Sequence, residues 1–294
     1  MVPAEASFAD TDIAFEALLQ YIRQERGFDF TGYKRSSLIR RLRLRMQTVQ
    51  IEHFSDYTAY LKVHPEELVF LFNTIEINYT SFFRDAEAWK YITDKIIPRI
   101  IVGKSESDPI RAWSAGCASG EETYTLAMLL AEALGVEQFQ SRVKVYATDV
   151  DEEAINQARL GSYLSSKVVD IPPTLLKRYF ERASESYVFR KDLRRSILFC
   201  RHNMIQEAPM SKIDLLVCRN ALIYFNIESQ TRALARFHFS LKESGSLFLG
   251  KAEMLPTYTN FFTPMDLRHR VFTKVPRSHL NQRQLNRAVG KERN

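Results

Sequence analysis

The first 75 or so residues carry the apolar spacing of a small helical module. Between residues 13 and 26, apolar side chains recur every three or four positions, and Gly27 follows them. These positions are Phe15, Leu18, Leu19 and Ile22. A second helix is predicted after Ser36 and Ser37, which can cap it, because Leu38, Leu42, Met46 and Val49 share one face. Third and fourth helices are predicted at residues 54–62 and after Pro65.

From Ile110 onward the pattern changes to short apolar runs that alternate with helical segments. The strand-like runs are "IRAWSAG", "RVKVYATDV" and "IDLLVCRN", which begin at Ile110, Arg142 and Ile213. Helices are predicted at about residues 121–134, in "DEEAINQAR" and at about residues 228–241, before the last strands "SLFLGK" and "HRVFTK". This alternation predicts an α/β fold with a parallel, doubly wound sheet.

The alternation is interrupted between Gly161 and Asn203. There "SYVFRKDLRRSILF" has the pattern of a small antiparallel hairpin, which predicts an inserted β-subdomain at about residues 183–200. The expected organisation is a helical domain at 1–76, a linker with a connecting helix at 77–109, an α/β domain at 110–276 and a basic polar tail at 277–294.

Composition is typical of a globular protein, with 45% hydrophobic and 26% charged residues among 294. Apolar runs are far shorter than the roughly 20 residues that span a bilayer, and the N-terminus lacks the pattern of a signal peptide. Three distant cysteines argue against a disulfide framework or a zinc cluster. We therefore expect a cytoplasmic protein with no metal site and no membrane insertion.

The stretch "SAGCASGEE" follows the first predicted strand, where ligands bind in folds of this class. Its glycines, Gly116 and Gly120, have neither the GxGxxG spacing of a dinucleotide site nor the pattern of a P-loop. Glu121 or Glu122 would repel a phosphate, so a cationic ligand such as an amino group or a sulfonium fits better. Alternatively, both glutamates only complement the helix dipole as acids of the first turn.

Asp149 stands at the end of the second predicted strand, where an acid commonly binds the hydroxyls of a ribose. The alternative is that Asp149 or Asp151 caps the helix that follows, and the two roles can coexist. Three features together indicate S-adenosylmethionine rather than NAD or ATP. The glycine turn lacks a phosphate motif, a glutamate beside it favours a cation, and an aspartate at the next strand favours ribose.

Four motifs in order resemble the CheR-type chemotaxis receptor methyltransferases, over roughly residues 14–274. They are "NYTSFFRD", "WSAGCASGEETYTLA", "YATDVDEEAINQARLGSY" and "DLLVCRNALIYF". The resemblance implies a helical N-terminal domain, a Rossmann-like catalytic domain and a small β-subdomain inserted in it. It also implies a protein-glutamate O-methyltransferase of signal transduction, which uses S-adenosyl-L-methionine and leaves S-adenosyl-L-homocysteine.

The resemblance assigns residues to the cofactor. Glu122 would hold the methionyl amino group and Asp149 the ribose. The other implied cofactor residues are Asn78, Thr80, Arg84, Gly116, Asn203, Met204, Arg219 and Asn220. Arg84 and Tyr224 lie where family members approach the reacting centre and are the candidate catalytic residues. The alternatives are an ion pair of Arg84 with Asp85 or another nearby acid, and a half-buried core position for Tyr224.

The second predicted helix is strongly basic. From Thr31 to Gln50 there are six basic residues and no acids. Receptor methylation regions are glutamate-rich helices, so Arg40, Arg41, Arg43 and Arg45 are predicted to form an electrostatic docking surface for the receptor. A solvated helix face or a nucleic-acid surface would carry the same charge.

Two rival functions remain. A nucleic-acid methyltransferase is disfavoured because "RNALIYF" lacks the [N/D]-P-P-[Y/F] motif, so we expect no nucleic-acid partner. A non-catalytic module that binds S-adenosylmethionine is disfavoured because Arg84, Glu122 and Asp149 are all present. The expected partner is the cytoplasmic domain of a methyl-accepting receptor. The short hairpin after "RYF" predicts that recognition does not require a pentapeptide tether on the receptor.

Overall fold

The computed structural model describes residues 8–27, 29–75, 79–253 and 261–276. The chain divides into two compact units. The first runs to residue 77 and also includes the segment Tyr224–Ser229, and the second contains Asn78–Ile223 and the chain from Gln230 onward. The basic tail at 277–294 and Asn78 lie outside the described residues.

Among its described residues the first unit contains four α-helices, as the apolar spacing predicts. They are α1 (Phe8–Arg26), α2 (Arg35–Thr48), α3 (Phe54–Val63) and α4 (Glu67–Ile75), with a 3-10 turn at Phe30–Gly32. The predicted apolar face of α1 is buried: Phe15, Leu18 and Ile22 are each at most 1% exposed. Leu38, Leu42 and Met46 of α2 are buried as well.

The predicted cap of α2 was wrong. The helix begins at Arg35, so Ser36 and Ser37 lie inside its first turn, and Lys34 at the N-cap makes no side-chain capping bond. The reason is a distant pairing that positions this end of the helix. The Lys34 amide donates to the Tyr224 carbonyl at 2.8 Å, and Tyr33 pairs with Phe225 in an antiparallel bridge.

The second unit is an α/β domain. Its α-helices are α5 (Ala86–Tyr91), α6 (Ile97–Val102), α7 (Glu121–Leu134), α8 (Val136–Arg142), α9 (Glu152–Leu160), α10 (Pro173–Tyr179), α11 (Lys191–Arg194) and α12 (Ile227–Ser240), of which the last begins in the segment assigned to the first unit. A π-helical turn at Ile92–Ile96 joins α5 to α6, and 3-10 turns occur at Ser165–Lys167 and Leu222–Tyr224.

The strands of this unit form two sheets. They are β1 (Ile110–Ala115), β2 (Val143–Asp149), β3 (Ser162–Leu164), β4 (Phe180–Ala183), β5 (Ser186–Phe189), β6 (Ile197–Arg201), β7 (Ile213–Cys218), β8 (Leu241–Leu249), β9 (Phe262–Asp266) and β10 (Val271–Lys274). The large sheet has the order β6-β2-β1-β7-β8-β10-β9. Its first five strands are parallel, as predicted for β1, β2, β7 and β8 but not for β6, whereas β10 and β9 add an antiparallel edge.

The small antiparallel sheet is present, but its predicted hairpin was wrong. Its order is β3-β5-β4, so Ser186–Phe189 pairs with Phe180–Ala183 and with Ser162–Leu164. The run "SILF" does not return against "SYVF". It forms β6, which lies parallel to β2 at the edge of the large sheet. Both "SYVF" and "SILF" have the composition of β-strands, so the sequence did not show that they belong to different sheets.

The core of the second unit lies between the large sheet and its helices. Helix α7 is buried from Glu121 through Ala131, because it packs in the interior of the unit. Trp113 of β1 is fully buried, and its indole N–H donates to Thr148 Oγ1 of β2 at 2.9 Å. In the part of the chain that the structure describes, no helix combines the length and apolar character needed to cross a membrane.

Candidate functional site

The candidate site lies at the carboxyl ends of the central parallel strands. Strand β1 is flanked by β2 on one side and β7 on the other, so the strand order reverses at this point. In doubly wound sheets, ligands bind where the order reverses, because the connections on the two sides diverge and leave a crevice. Four segments meet this edge: the turn 116–120 after β1, Asp149 at the end of β2, the turn 219–221 after β7, and residues 250–253 after β8.

The turn after β1 requires its glycines. Gly116 has a φ of +77°, and a Cβ there would lie 2.8 Å from the Cβ of Ala221. Gly120, at the N-cap of α7, has a φ of +96°, and its Cβ would lie 3.0 Å from the Cβ of Ala158. Left-handed backbone and close packing both exclude a side chain. The amides of Gly116 and Cys117 donate to the Thr148 carbonyl, which fixes the turn to β2.

The two glutamates that open α7 have different surroundings. Glu121 is buried and accepts a hydrogen bond from Ser119 Oγ at 2.7 Å. Glu122 is 8% exposed, accepts from Ser114 Oγ at 3.2 Å and lies 3.8 Å from Arg219 Nη1. Burial raises the pKa of Glu122 to about 7, although Arg219, Ser114 and Arg84 lower it. Glu122 is therefore a buried acid whose charge is incompletely compensated within the protein, which suits a cationic ligand.

Asp149 is held by two backbone amides. Its Oδ2 accepts from Ala118 in the glycine turn at 2.8 Å, and its Oδ1 accepts from Asp151 at 3.1 Å. Burial raises the pKa of this carboxyl group, and the amides oppose the rise. Asp151 caps α9, because its side chain accepts from the amides of Glu153 and Ala154. Asp151 is therefore the N-cap of α9, and Asp149 has no capping role in this helix.

A second charged cluster surrounds Arg219, immediately after β7. Its side chain is 2% exposed, and its Nη2 lies 2.5 Å from Asp85 Oδ2, while Lys251 Nζ lies 3.1 Å from Asp85 Oδ1. The guanidinium also packs 4.9 Å from the ring centroid of Phe248. Asp85 thus pairs with Arg219 and Lys251 rather than with its neighbour Arg84.

Arg84 contacts the segment that precedes it. Its Nη1 donates to the Tyr79 carbonyl at 3.1 Å, and its guanidinium lies 5.4 Å from the centroid of the Tyr79 ring. The alternative ion pair with Asp85 is not formed. Arg84 is close enough to lower the pKa of Glu122. Thr80 is half-buried in the same segment, whereas the predicted contact of Asn78 lies outside the described residues.

Asn203 and Met204 follow β6 and occupy the side of the turn next to Asp149. The Asn203 Oδ1 accepts from the amides of Ile205 and Gln206, which closes a local turn. Met204 is 8% exposed, and its Cε lies 3.5 Å from where a Cβ of Gly116 would be. The structure therefore brings Met204 against the glycine turn, although the two are 88 positions apart in the sequence.

Sequence reasoning missed one buried acid of the site, Glu253. It is 1% exposed, and its Oε1 accepts from the Ala221 amide at 3.1 Å in the turn that carries Asn220. Asn220 itself has a φ of +59°, in the left-handed region. The signal in the sequence was an acid shortly after a buried strand, in "LFLGKAE", the same kind of signal that singled out Asp149.

The remaining predicted residues belong to the first unit. The Tyr224 ring lies 5.6 Å from the guanidinium of Arg41, whose Nη1 donates to the Thr74 carbonyl at 2.8 Å. Arg45 makes a bidentate pair with the buried Glu67, at 2.5 and 2.6 Å. Arg40 and Arg43 are exposed, and they line a groove of about 940 Å³ in this unit. Arg41 and Arg45 therefore have structural contacts that the basic pattern did not indicate.

The residues at the carboxyl edge fit an S-adenosylmethionine-type cofactor on two observations. Gly116 and Gly120 let the turn after β1 pack closely against Ala221 and Ala158, and this turn holds the carboxylate of Asp149 through the Ala118 amide, where an acid suits the hydroxyls of a ribose. The buried Glu122 offers a carboxylate to an amino group, and burial raises its pKa to about 7 although Arg219 lies 3.8 Å away. No group of three or more histidine, cysteine or acidic side chains suited to a metal occurs among the described residues.

Comparisons with known proteins match both units. The family model "CheR methyltransferase, all-alpha domain" matches residues 13–75, and "CheR methyltransferase, SAM binding domain" matches residues 78–271. The chain is 32% identical over 261 residues to the chemotaxis protein methyltransferase of Escherichia coli, covering 86% of this chain and 88% of that protein. It is 29% identical over 245 residues to the chemotaxis protein methyltransferase of Borreliella burgdorferi, covering 81% of this chain and 87% of the relative.

A further relative is much longer. The chain is 36% identical over 244 residues to a 104.1 kDa protein from the hypE 3' region of Rhodobacter capsulatus, and the match spans 83% of this chain but only 26% of that protein. The expected helical domain, Rossmann-like domain and small inserted sheet are all present, and the two family models together cover most of the chain. The chain therefore belongs to the CheR methyltransferase family, and S-adenosylmethionine is its cofactor.

Proposed function

We propose that this protein transfers a methyl group from S-adenosylmethionine to glutamate side chains on the cytoplasmic helices of chemotaxis receptors, which gives glutamyl methyl esters and tunes adaptation. The alignment with chemotaxis protein methyltransferases across both units supports this substrate. The observation that carries the proposal is the buried Glu122 beside the glycine turn, since this acid lacks a full countercharge within the protein. Action on the cytoplasmic part of a receptor implies a cytoplasmic location.

In this proposal the carboxyl edge of the sheet holds the cofactor. Glu122 accepts the methionyl amino group, and Asp149 accepts the ribose hydroxyls from a position fixed by the Ala118 amide. Met204 and Asn203 flank the adenine, opposite Arg219 and Asn220. The backbone at Gly116 lies against the cofactor, and Asn78, Thr80 and Arg84 contact it from the segment before α5.

The chemistry requires little acid–base help from the protein. S-adenosylmethionine supplies, when bound, a methyl group activated by its sulfonium, and the electron pair of the broken carbon–sulfur bond stays on sulfur in S-adenosylhomocysteine. A glutamate carboxylate with an ordinary pKa of about 4.3 is ionised at pH 7, so no general base is needed. The protein must orient the carboxylate oxygen about 3 Å from the methyl carbon and exclude water. Arg84 orients the carboxylate, and Tyr224 donates a hydrogen bond near the reacting centre.

The docking surface in this proposal is narrower than the basic pattern predicts. Arg40 and Arg43 are exposed on α2 beside the apolar side chain of Leu44, which is 59% exposed. An acidic amphipathic helix would match both the charge and the apolar side chain. Arg41 and Arg45, with their contacts to Thr74 and Glu67, contribute by holding the helix in place.

The deciding experiment is transfer of labelled methyl from S-adenosylmethionine to receptor cytoplasmic fragments, followed by mild alkali. Methyl esters release labelled methanol under these conditions, and we expect that release. A matched fragment without the C-terminal pentapeptide should be labelled at the same rate, because β4 and β5 are joined by only Ser184 and Glu185. Alkali-stable label would contradict ester formation, label on added nucleic acid would favour the nucleic-acid enzyme, and binding without transfer would favour a non-catalytic module.

A further inference from the structure

Glu253 is a buried acid to which the proposed mechanism assigns no role. It follows β8 by four residues and is 1% exposed. Its Oε1 accepts from the amide of Ala221 at 3.1 Å, the amides of Asn220 and of Glu253 itself also act on the carboxyl group, and among the described residues its buried Oε2 makes no hydrogen bond of good geometry. Burial raises the pKa of this carboxyl group, while the amides of Asn220 and Ala221 and the charge of Arg219 lower it. A buried carboxylate with one satisfied oxygen is costly, so its presence calls for a function.

The contact of Glu253 fixes a turn that shapes the cofactor site. The turn contains Asn220 in the left-handed region, a conformation that non-glycine residues keep only where neighbouring structure holds them. The hydrogen bond from Ala221 to Glu253 ties this turn to the segment that follows β8. Ala221 in turn forms the wall that Gly116 faces, since a Cβ on Gly116 would lie 2.8 Å from its methyl group. The position of Glu253 therefore sets the distance between the two turns.

Glu253 also acts on the charge of Glu122. Arg219 lowers the pKa of both acids, and Glu253 raises the pKa of Glu122. The other groups that face Glu122 are Arg84, the Ser114 hydroxyl and the buried thiols of Cys117 and Cys218. Asp85 pairs with Arg219 at 2.5 Å, closer than the 3.8 Å to Glu122. Arg219 therefore acts on three acids, Asp85, Glu122 and Glu253. Its ion pair with Glu122 is longer than its ion pair with Asp85.

We propose that Glu253 is a positioning residue of the S-adenosylmethionine site: it fixes the turn 219–221 against Gly116. Its charge also raises the pKa of Glu122, so the unliganded site lacks a positive charge that the cofactor's amino group can supply. This inference rests on the proposed role of Glu122, and it adds a residue that does not touch the reacting atoms.

The test separates the two actions of Glu253 by substitution. Glu253→Gln keeps an oxygen that accepts from Ala221 but removes the charge, whereas Glu253→Ala removes both. The binding of S-adenosylhomocysteine is measured by calorimetry from pH 5.5 to 8. For Glu253→Gln we expect the midpoint of the pH dependence to fall by roughly half a pH unit, because a like charge next to Glu122 is lost. For Glu253→Ala we expect about tenfold weaker binding at pH 7.5, because the buried amide loses its acceptor.

Controls keep the outcome interpretable. Glu181→Gln, at an exposed position of β4, removes the same charge elsewhere and should leave the pH profile unchanged. Thermal unfolding checks that each variant folds, and Glu253→Gln still reports on the proposal if Glu253→Ala does not fold. A Glu253→Gln profile that coincides with the wild-type profile would overturn the electrostatic part, and unchanged affinity in folded Glu253→Ala would overturn the positioning part. If Glu122→Gln binds S-adenosylhomocysteine as tightly as wild type, the role proposed for Glu122 is wrong.

Discussion

At the scale of single residues, the surroundings of a side chain decide its chemistry more than its place in a motif does. Glu121 and Glu122 are adjacent acids in the first turn of α7, yet Glu121 is satisfied by the Ser119 hydroxyl at 2.7 Å. The bond from Ser114 to Glu122 is longer, at 3.2 Å, and Arg219 lies 3.8 Å away. Burial raises the pKa of both carboxyl groups, that of Glu122 to about 7. The dipole of α7 affects both acids, so it cannot account for the difference between them.

This difference predicts that two matched substitutions weaken cofactor binding to very different extents. Glu122→Gln should weaken S-adenosylhomocysteine binding about 10- to 100-fold, because a charge-assisted hydrogen bond to the amino group becomes a neutral one. Glu121→Gln keeps an acceptor for Ser119 and should change the affinity less than threefold. Calorimetry on the two variants gives the measurement, and equal losses would contradict the assignment.

The raised pKa of Glu122 also predicts a pH dependence of binding. Below pH 7 the unliganded protein holds a proton on Glu122, which must leave before the carboxylate accepts an ammonium group. Affinity for S-adenosylhomocysteine should therefore be constant just above pH 7 and fall toward about tenfold per pH unit below it, as linkage to one proton requires. The Glu122→Gln variant should lack this dependence, and a wild-type profile that is flat from pH 5.5 to 7.5 would refute the interpretation.

At the scale of elements, turns and helix ends place the residues of the site. The parallel pairing of β1 with β2 and β7 sets their carboxyl ends side by side, and the residues that follow each strand therefore meet. Glycine permits the close approach of these turns at two points, Gly116 and Gly120. In the first unit, α2 carries the proposed docking surface. Its Arg43 is exposed, whereas its Arg45 is partly buried.

A pair of glycine substitutions tests the role of the turn after β1. Gly116 and Gly135 have φ values of +77° and +81°, but an added Cβ meets Ala221 at 2.8 Å at the first and nothing within 4 Å at the second. Gly135→Ala should cost only backbone strain, about 1–3 kcal/mol in unfolding free energy because φ +81° and ψ +155° suit glycine alone, and should leave cofactor binding intact. Gly116→Ala should cost more and weaken S-adenosylhomocysteine binding at least tenfold. Similar affinities for the two variants would show that the close approach is unimportant.

The arginines of α2 allow a second comparison. Arg45→Ala should lower the unfolding free energy by about 2–4 kcal/mol, because it leaves Glu67, which also accepts from Tyr57, as a buried acid without its cation. Arg43→Ala should leave stability within about 0.5 kcal/mol but slow methyl transfer to receptor fragments, most clearly at low salt. Urea unfolding and initial rates at two salt concentrations measure both. A rate unaffected by Arg43→Ala would remove this residue from the docking surface.

At the scale of the whole molecule, the helical unit is not one continuous stretch of chain. The segment Tyr224–Ser229 follows β7 and its turn but belongs to the first unit, where the Asn226 amide donates to the Gly32 carbonyl at 2.9 Å. The Phe225 ring packs edge-on against Tyr33 with centroids 4.8 Å apart. The candidate catalytic Tyr224 is therefore held by the unit that also carries the proposed docking surface.

The role of Tyr224 can be tested separately from its packing. Tyr224→Phe keeps the ring that faces Arg41 and removes only the hydroxyl, so stability should change little. If the hydroxyl assists the reaction, the single-turnover rate of methyl transfer should fall about 10- to 100-fold while S-adenosylhomocysteine binding stays constant. An unchanged single-turnover rate would remove Tyr224 from the mechanism and leave it a structural role.

Local patterns in the sequence were sufficient for most elements and for the chemistry of the main candidates. The bounds of α7 were predicted because the apolar spacing and Gly135 mark them, and the buried runs of β1, β2 and β7 identified the parallel strands. Asp149 and the pair Glu121 and Glu122 were singled out because acids that follow strands in this fold face the ligand crevice, and the resemblance then selected Glu122. The resemblance added residues such as Arg219 and Met204, whose roles no local pattern indicates.

The sequence by itself determined the class of fold, the family and the type of cofactor, since these depend on periodicity and on residues close together in the chain. Only the tertiary structure decided which strand pairs with which, and it moved "SILF" from a hairpin into the large sheet. It also decided that Asp85 rather than Glu122 is the nearer partner of Arg219, that Arg45 points inward to Glu67, and that Glu253 supports the turn after β7. These contacts join residues that are distant in sequence, and their energies depend on burial, which no local pattern specifies.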